Sequence, residues 1–161
     1  MRYAILFLCL AARWVCLEAQ VLDDFADGEL SANPPWFGDT ADFEVMSERL
    51  WLNAPSQTDT SWVSTLIPAP DSAVWEASLR LDFNPSGSNY FRWYLLATEP
   101  DLKAAAEAYY IQVGGSSSDR VSFCHFASGS ESVLWESAAD AVDLDTVSLR
   151  LRVKYFDGSW T

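Results

Sequence analysis

The chain has 161 residues, enough for one domain. It carries 23 acidic side chains against 10 basic ones, a net charge of −13, and a surface that negative repels phosphate backbones and speaks against nucleic acid as a partner. No apolar segment beyond the N-terminus is long enough to be a transmembrane helix, so no membrane-spanning segment is expected.

Residues 1–19 read as an export signal. Arg2 supplies the positive start, residues 3–12 form an apolar run too short to span a bilayer, and Leu17-Glu18-Ala19 places a small residue before a cut ahead of Gln20. Arg13 departs from that pattern, and the alternative is a buried N-terminal strand or helix. On the first reading the protein is secreted or displayed at the cell surface, and residues 20–161 form its single domain. Two of the three cysteines, Cys9 and Cys16, fall in the signal. Cys124 then stands alone, so no internal disulfide is available. The fold must rest on its apolar core, and 8 Trp, 9 Phe and 6 Tyr supply the bulk for one.

Beyond the signal, strand-like segments recur. They cover residues 21–25, 43–46, 50–54, 61–67, 74–84, 90–98, 108–113, 121–127, 132–136 and 147–155. Turn-rich clusters separate them: Asn33-Pro34-Pro35, Ala54-Pro55-Ser56, Pro68-Ala69-Pro70-Asp71, Gly114-Gly115-Ser116 and Ser128-Gly129-Ser130. Many short strands at this spacing predict an all-β sandwich or barrel. In residues 74–84, Trp75, Ala77, Leu79, Leu81 and Phe83 alternate with Glu76, Ser78, Arg80 and Asp82, the period of a sheet with one dry face. Residues 90–98 differ, because both faces are bulky: Phe91, Trp93 and Leu95 on one, Tyr90, Arg92 and Tyr94 on the other. Rings on the polar side predict a surface able to hold a ligand. Residues 100–107, with an acidic first turn and three alanines, predict one or two helical turns within a connection. Residues 140–145 predict an acidic loop. Val147, Leu149, Leu151, Val153 and Tyr155 alternate with Ser148, Arg150, Arg152 and Lys154, and Asp157-Gly158 then signals a hairpin. Ser159, Trp160 and Thr161 read as the start of a returning strand, which predicts a sheet incomplete at its C-terminal end.

The segments LDDFADGEL, NPPWFGDTADFEV, LWLNAP, WEASLRLDFNPSGSNYFRWYLLA, AYYIQVGG and VSLRLRV follow one another through nearly all of residues 21–161. This series resembles the N-terminal domain of large secreted surface proteins of Bacteroidota, which often continue into lamin-tail modules and a sorting region. The resemblance implies an antiparallel two-sheet jelly roll of the concanavalin A-like lectin/glucanase type. It also implies a non-catalytic extracellular module that binds a glycan or a cell-surface protein. LDFNPSGSNY and YYIQVGG are the more specific segments, whereas DDFADG is common among related sandwiches.

Some jelly rolls of this type are glycoside hydrolases, so a hydrolase fragment is the remote alternative. Hydrolysis needs two carboxylates flanking the glycosidic bond. The laminarinase-like enzymes carry them on one strand as E-x-D-x-x-E, and no such run occurs here. Glu76 and Asp82 share a strand face but lie about 20 Å apart at the rise of an extended chain. His125, the only histidine, defines neither a triad nor a metal site. Gly114-Gly115-Ser116 lacks the spacing and the lysine of a nucleotide loop.

For binding, sugars stack on aromatic rings and bond to adjacent polar groups. Tyr90, Arg92, Tyr94, Tyr110 and Gln112 offer both if their strands are neighbours, and Trp51 is a further candidate because it alternates out of phase with Leu50 and Leu52. The competing reading is a spacer or assembly domain, in which Arg80, Arg92, Arg150 and Arg152 pair with Glu76, Asp82 and other carboxylates across strands. Asp23, Asp24 and Asp27 are candidate ligands for a structural Ca2+, as in jelly rolls similar to this one, though their spacing is not that of a dedicated calcium loop.

Overall fold

The computed structural model describes residues 21–54, 59–67 and 70–161. The expected export signal therefore lies outside the described residues, as do parts of the turn clusters at Pro55-Ser56 and Pro68-Ala69. The described chain is all-β: eleven strands in four antiparallel sheets, one 3-10 turn at Thr40–Asp42, and no α-helix among the described residues.

Two sheets build the core. One holds β5 (Ser72–Leu81), β10 (Val147–Phe156) and β11 (Ser159–Trp160) in the order β11-β10-β5. The other is a meander of β6 (Phe91–Ala97), β7 (Glu107–Val113), β8 (Val121–Ala127) and β9 (Ser130–Glu136) in sequential order. The long alternating segments form as their period requires. β5 and β10 pair over ten residues, with Trp75 opposite Val153, Leu79 opposite Leu149 and Leu81 opposite Val147 on the inner side. Those residues pack against Phe91, Trp93, Leu95, Tyr109, Ile111, Val113, Val121 and Phe123 of the second sheet. The result is a β-sandwich with one dry layer. Val142, from the loop between β9 and β10, plugs it and is anchored by its own N–H donating to the Asp119 carbonyl at 3.1 Å.

Two tight hairpins behave as their residues dictate. Asp157 and Gly158 adopt φ of 48° and 76°, and Ser128 and Gly129 adopt 53° and 75°, the doubly positive turn that matches strand twist. The first returns the chain so that Trp160 enters the interior. Its ring stacks on Trp75 (5.5 Å between centroids) and Tyr109 (4.9 Å) and tilts against Phe123 and Tyr155. Tyr109 stacks in turn on His125 at 4.2 Å, and His125 Nε2 lies 2.9 Å from Glu107 Oε1. His125 thus sits at the end of an aromatic column that runs from Trp75 through Trp160 and Tyr109.

The sheets are unequal in width. β9, at the edge of the larger one, is exposed along its whole length, and Val133, Leu134 and Trp135 are each at least half accessible. Leu134 is the extra residue of a bulge, since Phe123 faces Trp135 while Cys124 faces Val133. Two small ribbons complete the molecule. β1 (Phe37–Gly38) pairs with β4 (Val63–Ser64), and β2 (Phe43–Val45) with β3 (Leu50–Leu52). Lys103 reaches Asp39 at 3.6 Å and Asp59 at 3.8 Å, tying the first ribbon to the β6–β7 connection.

Several expectations are corrected. Residues 21–25 are not a strand, because the carboxylates of Asp23, Asp24 and Asp27 each accept the backbone N–H two residues ahead and bend the chain into successive turns. Residues 100–107 form no helix. Ala104 N–H bonds Asp101 O at 3.0 Å, but Thr98 Oγ1 then takes the N–H groups of Ala106 and Glu107, which leads straight into β7. The strand expected over 61–67 shrinks to two residues, and β1, for which no strand was expected, pairs with it.

Candidate functional site

Five of the candidate residues converge on the face of the four-stranded sheet that points away from the core. Register brings them together. Arg92 lies opposite Gln112, Tyr94 opposite Tyr110, and Tyr110 opposite Cys124. The Arg92 guanidinium sits 4.7 Å above the Tyr110 ring and 5.3 Å from the Tyr90 ring, and Tyr94 and Tyr110 are 5.0 Å apart. Arg92 Nε donates to Gln112 Oε1 at 2.7 Å, and Gln112 Nε2 donates to the Gly114 carbonyl at 3.1 Å.

Glu131 closes the network from β9. Its Oε2 accepts from Arg92 Nη2 at 3.2 Å and from the Tyr110 hydroxyl. Sequence reasoning missed this residue. It faces Phe126 across the ladder and reaches Tyr110 diagonally, so only the register fixed by the Ser128-Gly129 turn places it.

The residues do not share one role. Tyr110 is 1% exposed and Gln112 8%, so they form a floor beneath the surface. Tyr90 is 41% exposed, and Arg92, Tyr94 and Glu131 are partly accessible, so a ligand would meet these four. Burial, reinforced by the hydrogen bond to Glu131, pushes the Tyr110 hydroxyl above the usual tyrosine range and keeps it a donor. Ala108 and Cys124 complete the floor.

Burial also pushes the Cys124 thiol up, to about 11, with the Glu131 charge adding to it. At pH 8 the folded protein is expected to react with a disulfide reagent roughly a hundredfold more slowly than the chain in denaturant, because so little thiolate is present. Equal rates would show that this floor opens freely.

At the end of the face, Gly114 and Gly115 both adopt φ of +81°. Gly115 N–H donates to Ser86 O at 3.0 Å, joining the β7–β8 turn to the Asn84–Asn89 turn that precedes Tyr90. A Cβ on Gly115 would run into the Gln112 amide, so glycine here lets the turn close over the amide that holds Arg92.

The remaining candidates lie elsewhere. Trp51 is on the separate β2–β3 ribbon, its ring N–H donating to Met46 O at 3.2 Å. Asp23 accepts from Phe25 N–H with one oxygen and from Trp36 Nε1, at 2.6 Å, with the other. Asp24 and Asp27 are occupied by their own turns, and among the described residues no group of three or more His, Cys, Asp or Glu is placed to hold a metal ion. The carboxylates expected to share a calcium thus serve as local turn acceptors. Beside them, residues of the 28–45 segment, with Trp36 and Phe43, line an open depression of about 390 Å³.

Comparisons with known proteins add nothing to this geometry: no family model matches the chain, and no curated protein or solved structure is significantly similar to it.

Proposed function

We propose that the chain is a non-catalytic extracellular binding module whose ligand is a glycan. The gathering of Tyr90, Arg92, Tyr94 and Glu131 on one sheet face, over a floor of Tyr110 and Gln112, carries this reading. A sugar ring offers a C–H face that rests on aromatic rings and neighbouring hydroxyls that each donate and accept. Arg92 supplies donors and Glu131 an acceptor side by side, which matches a pair of adjacent hydroxyls. Because Arg92 is tied to Gln112, and Gln112 to the Gly114 carbonyl, the guanidinium is oriented before a ligand arrives, which lowers the entropic cost of binding.

The signal-like residues 1–19 and the resemblance to the N-terminal jelly rolls of secreted Bacteroidota surface proteins support an extracellular setting. The two-sheet sandwich is compatible with a concanavalin A-like jelly roll. The missing E-x-D-x-x-E run supports binding without hydrolysis.

One observation favours a second reading, a spacer or assembly domain. Arg92 already spends donors on Gln112 and Glu131, so the face satisfies itself without a ligand. A glycan array separates the two. The wild-type chain is expected to give a signal that Tyr94→Ala weakens by roughly tenfold or more, about 1.4 kcal/mol, with the near-ultraviolet spectrum of the fold retained. A blank array, or a signal indifferent to Tyr94→Ala and Arg92→Ala, would leave the spacer reading standing.

A further inference from the structure

The opposite side of the sandwich carries a second feature. On the outward face of β5 and β10 the rows run Arg80 with Ser148, Ser78 with Arg150, Glu76 with Arg152, and Val74 with Lys154. Each of four consecutive rows thus contributes one cation. Rows on one face are about 7 Å apart, so the charges form a line of about 20 Å. All of these side chains are exposed. Eight basic residues follow the export-signal segment, and this ribbon holds four of them in a chain whose net charge is −13. Among the described residues, two carboxylates form ion pairs with the line. Glu76 lies 3.1 Å from Arg152, and Asp82 lies 2.8 Å from Arg80. Arg150 and Lys154 face the uncharged Ser78 and Val74, and neither makes an ion pair among the described residues.

We infer that this ribbon binds an extended anionic polysaccharide, one bearing carboxylates or sulfate esters along its length. Charge complementarity is the first argument. A strongly acidic chain repels polyanions overall, yet screening confines that repulsion to about 10 Å, and within that range the ribbon presents its cations first. The second argument is the character of the face. Its centre is arginine and serine with no apolar cluster, unlike the desolvated, aromatic heart of a protein–protein interface. The exposed apolar groups, Val74 and Phe156, lie together at one end, and Phe156 is 72% exposed. A hydrated chain laid along the ribbon meets a cation at every row and a ring at the end. The two preformed ion pairs are solvent-exposed and worth little, so exchanging them for the ligand's anions costs little. This site is independent of the Tyr90–Glu131 face on the other sheet.

The test uses the whole chain at about 0.1 M salt, where screening holds the repulsion to about 10 Å, titrated with polygalacturonate, dextran sulfate, neutral dextran, polyglutamate and single-stranded DNA. Binding of either anionic polymer but not of neutral dextran is expected, and the tighter of the two identifies the anion. Arg150→Ser/Lys154→Ser, which alters only exposed outward side chains, is expected to weaken binding by roughly tenfold and to cut the dependence of log Kd on log salt by about half. Lys103→Ser, which removes a cation elsewhere, is expected to leave both unchanged. No binding of either anionic polymer, or binding that the double variant leaves intact, overturns the proposal. So does a stronger response to polyglutamate or single-stranded DNA than to both polysaccharides, which would reassign the ribbon to an acidic protein or a nucleic acid.

Discussion

Trp160→Ala is expected to lower the melting temperature by about 6–15 °C, read by circular dichroism. The ring belongs to a two-residue strand yet touches Trp75 on β5, Tyr109 on β7, Phe123 on β8 and Tyr155 on β10, so it bridges both sheets. Removing a large core aromatic costs about 3–5 kcal/mol, because transfer and cavity terms add. For a domain of this length each kcal/mol moves the midpoint by a few degrees. Trp160 keeps some solvent contact, which puts the loss at the lower part of that range. Ser159→Ala, on the exposed neighbour, is expected to change stability by less than about 0.5 kcal/mol. If Trp160→Ala melts with the wild type, the final hairpin contributes nothing to the core and the packing described above is wrong.

Gly114→Ala is the second substitution with a large expected effect, a loss of about 2–5 kcal/mol measured by urea denaturation. Two costs combine. Gly114 has φ of +81°, where a side chain is strained by about 1–2 kcal/mol. A Cβ there would also sit 2.5 Å from Pro85 Cβ, and both residues are buried, so neither can yield to solvent. Overpacking of that kind adds about 1–3 kcal/mol. The damage is expected to reach the site as well, since the Gly114 carbonyl holds the Gln112 amide and Gln112 holds Arg92. Wild-type stability would mean that the turn can move aside, and that Arg92 is not fixed from this end.

Alternation made the main sheets legible. Trp75 to Leu81 and Val147 to Tyr155 take turns residue by residue, and they emerge as the longest paired strands. Tyr90, Arg92, Tyr94, Tyr110 and Gln112 were legible as a group because their strands are consecutive, and consecutive strands pair through short connections. What parity could not supply was depth. Tyr110 and Tyr94 face each other on the same side of the same sheet, yet Tyr110 lies under Arg92 while Tyr94 keeps access to solvent. That difference comes from which neighbours lean over a residue, not from the residue itself. Glu131 was hidden for a related reason: a diagonal contact across two strands lies outside any two-residue period. Residues 21–25 misled because the apolar Val21, Leu22 and Phe25 outweighed the aspartates, whose side chains compete for backbone N–H groups.

Glu131 rides on β9, a strand exposed at every residue and with a neighbour on one side only. Strands of that kind fray at lower free energy than the interior of a sheet. Each time β9 peels back, the acceptor leaves Arg92 and Tyr110 together, and the face loses its acidic half while its aromatic half stays in place. On the proposed binding role, recognition and local opening would be one equilibrium seen from two sides: a ligand that grips Glu131 would also zip the border of the sheet, and whatever loosens the border would release the grip.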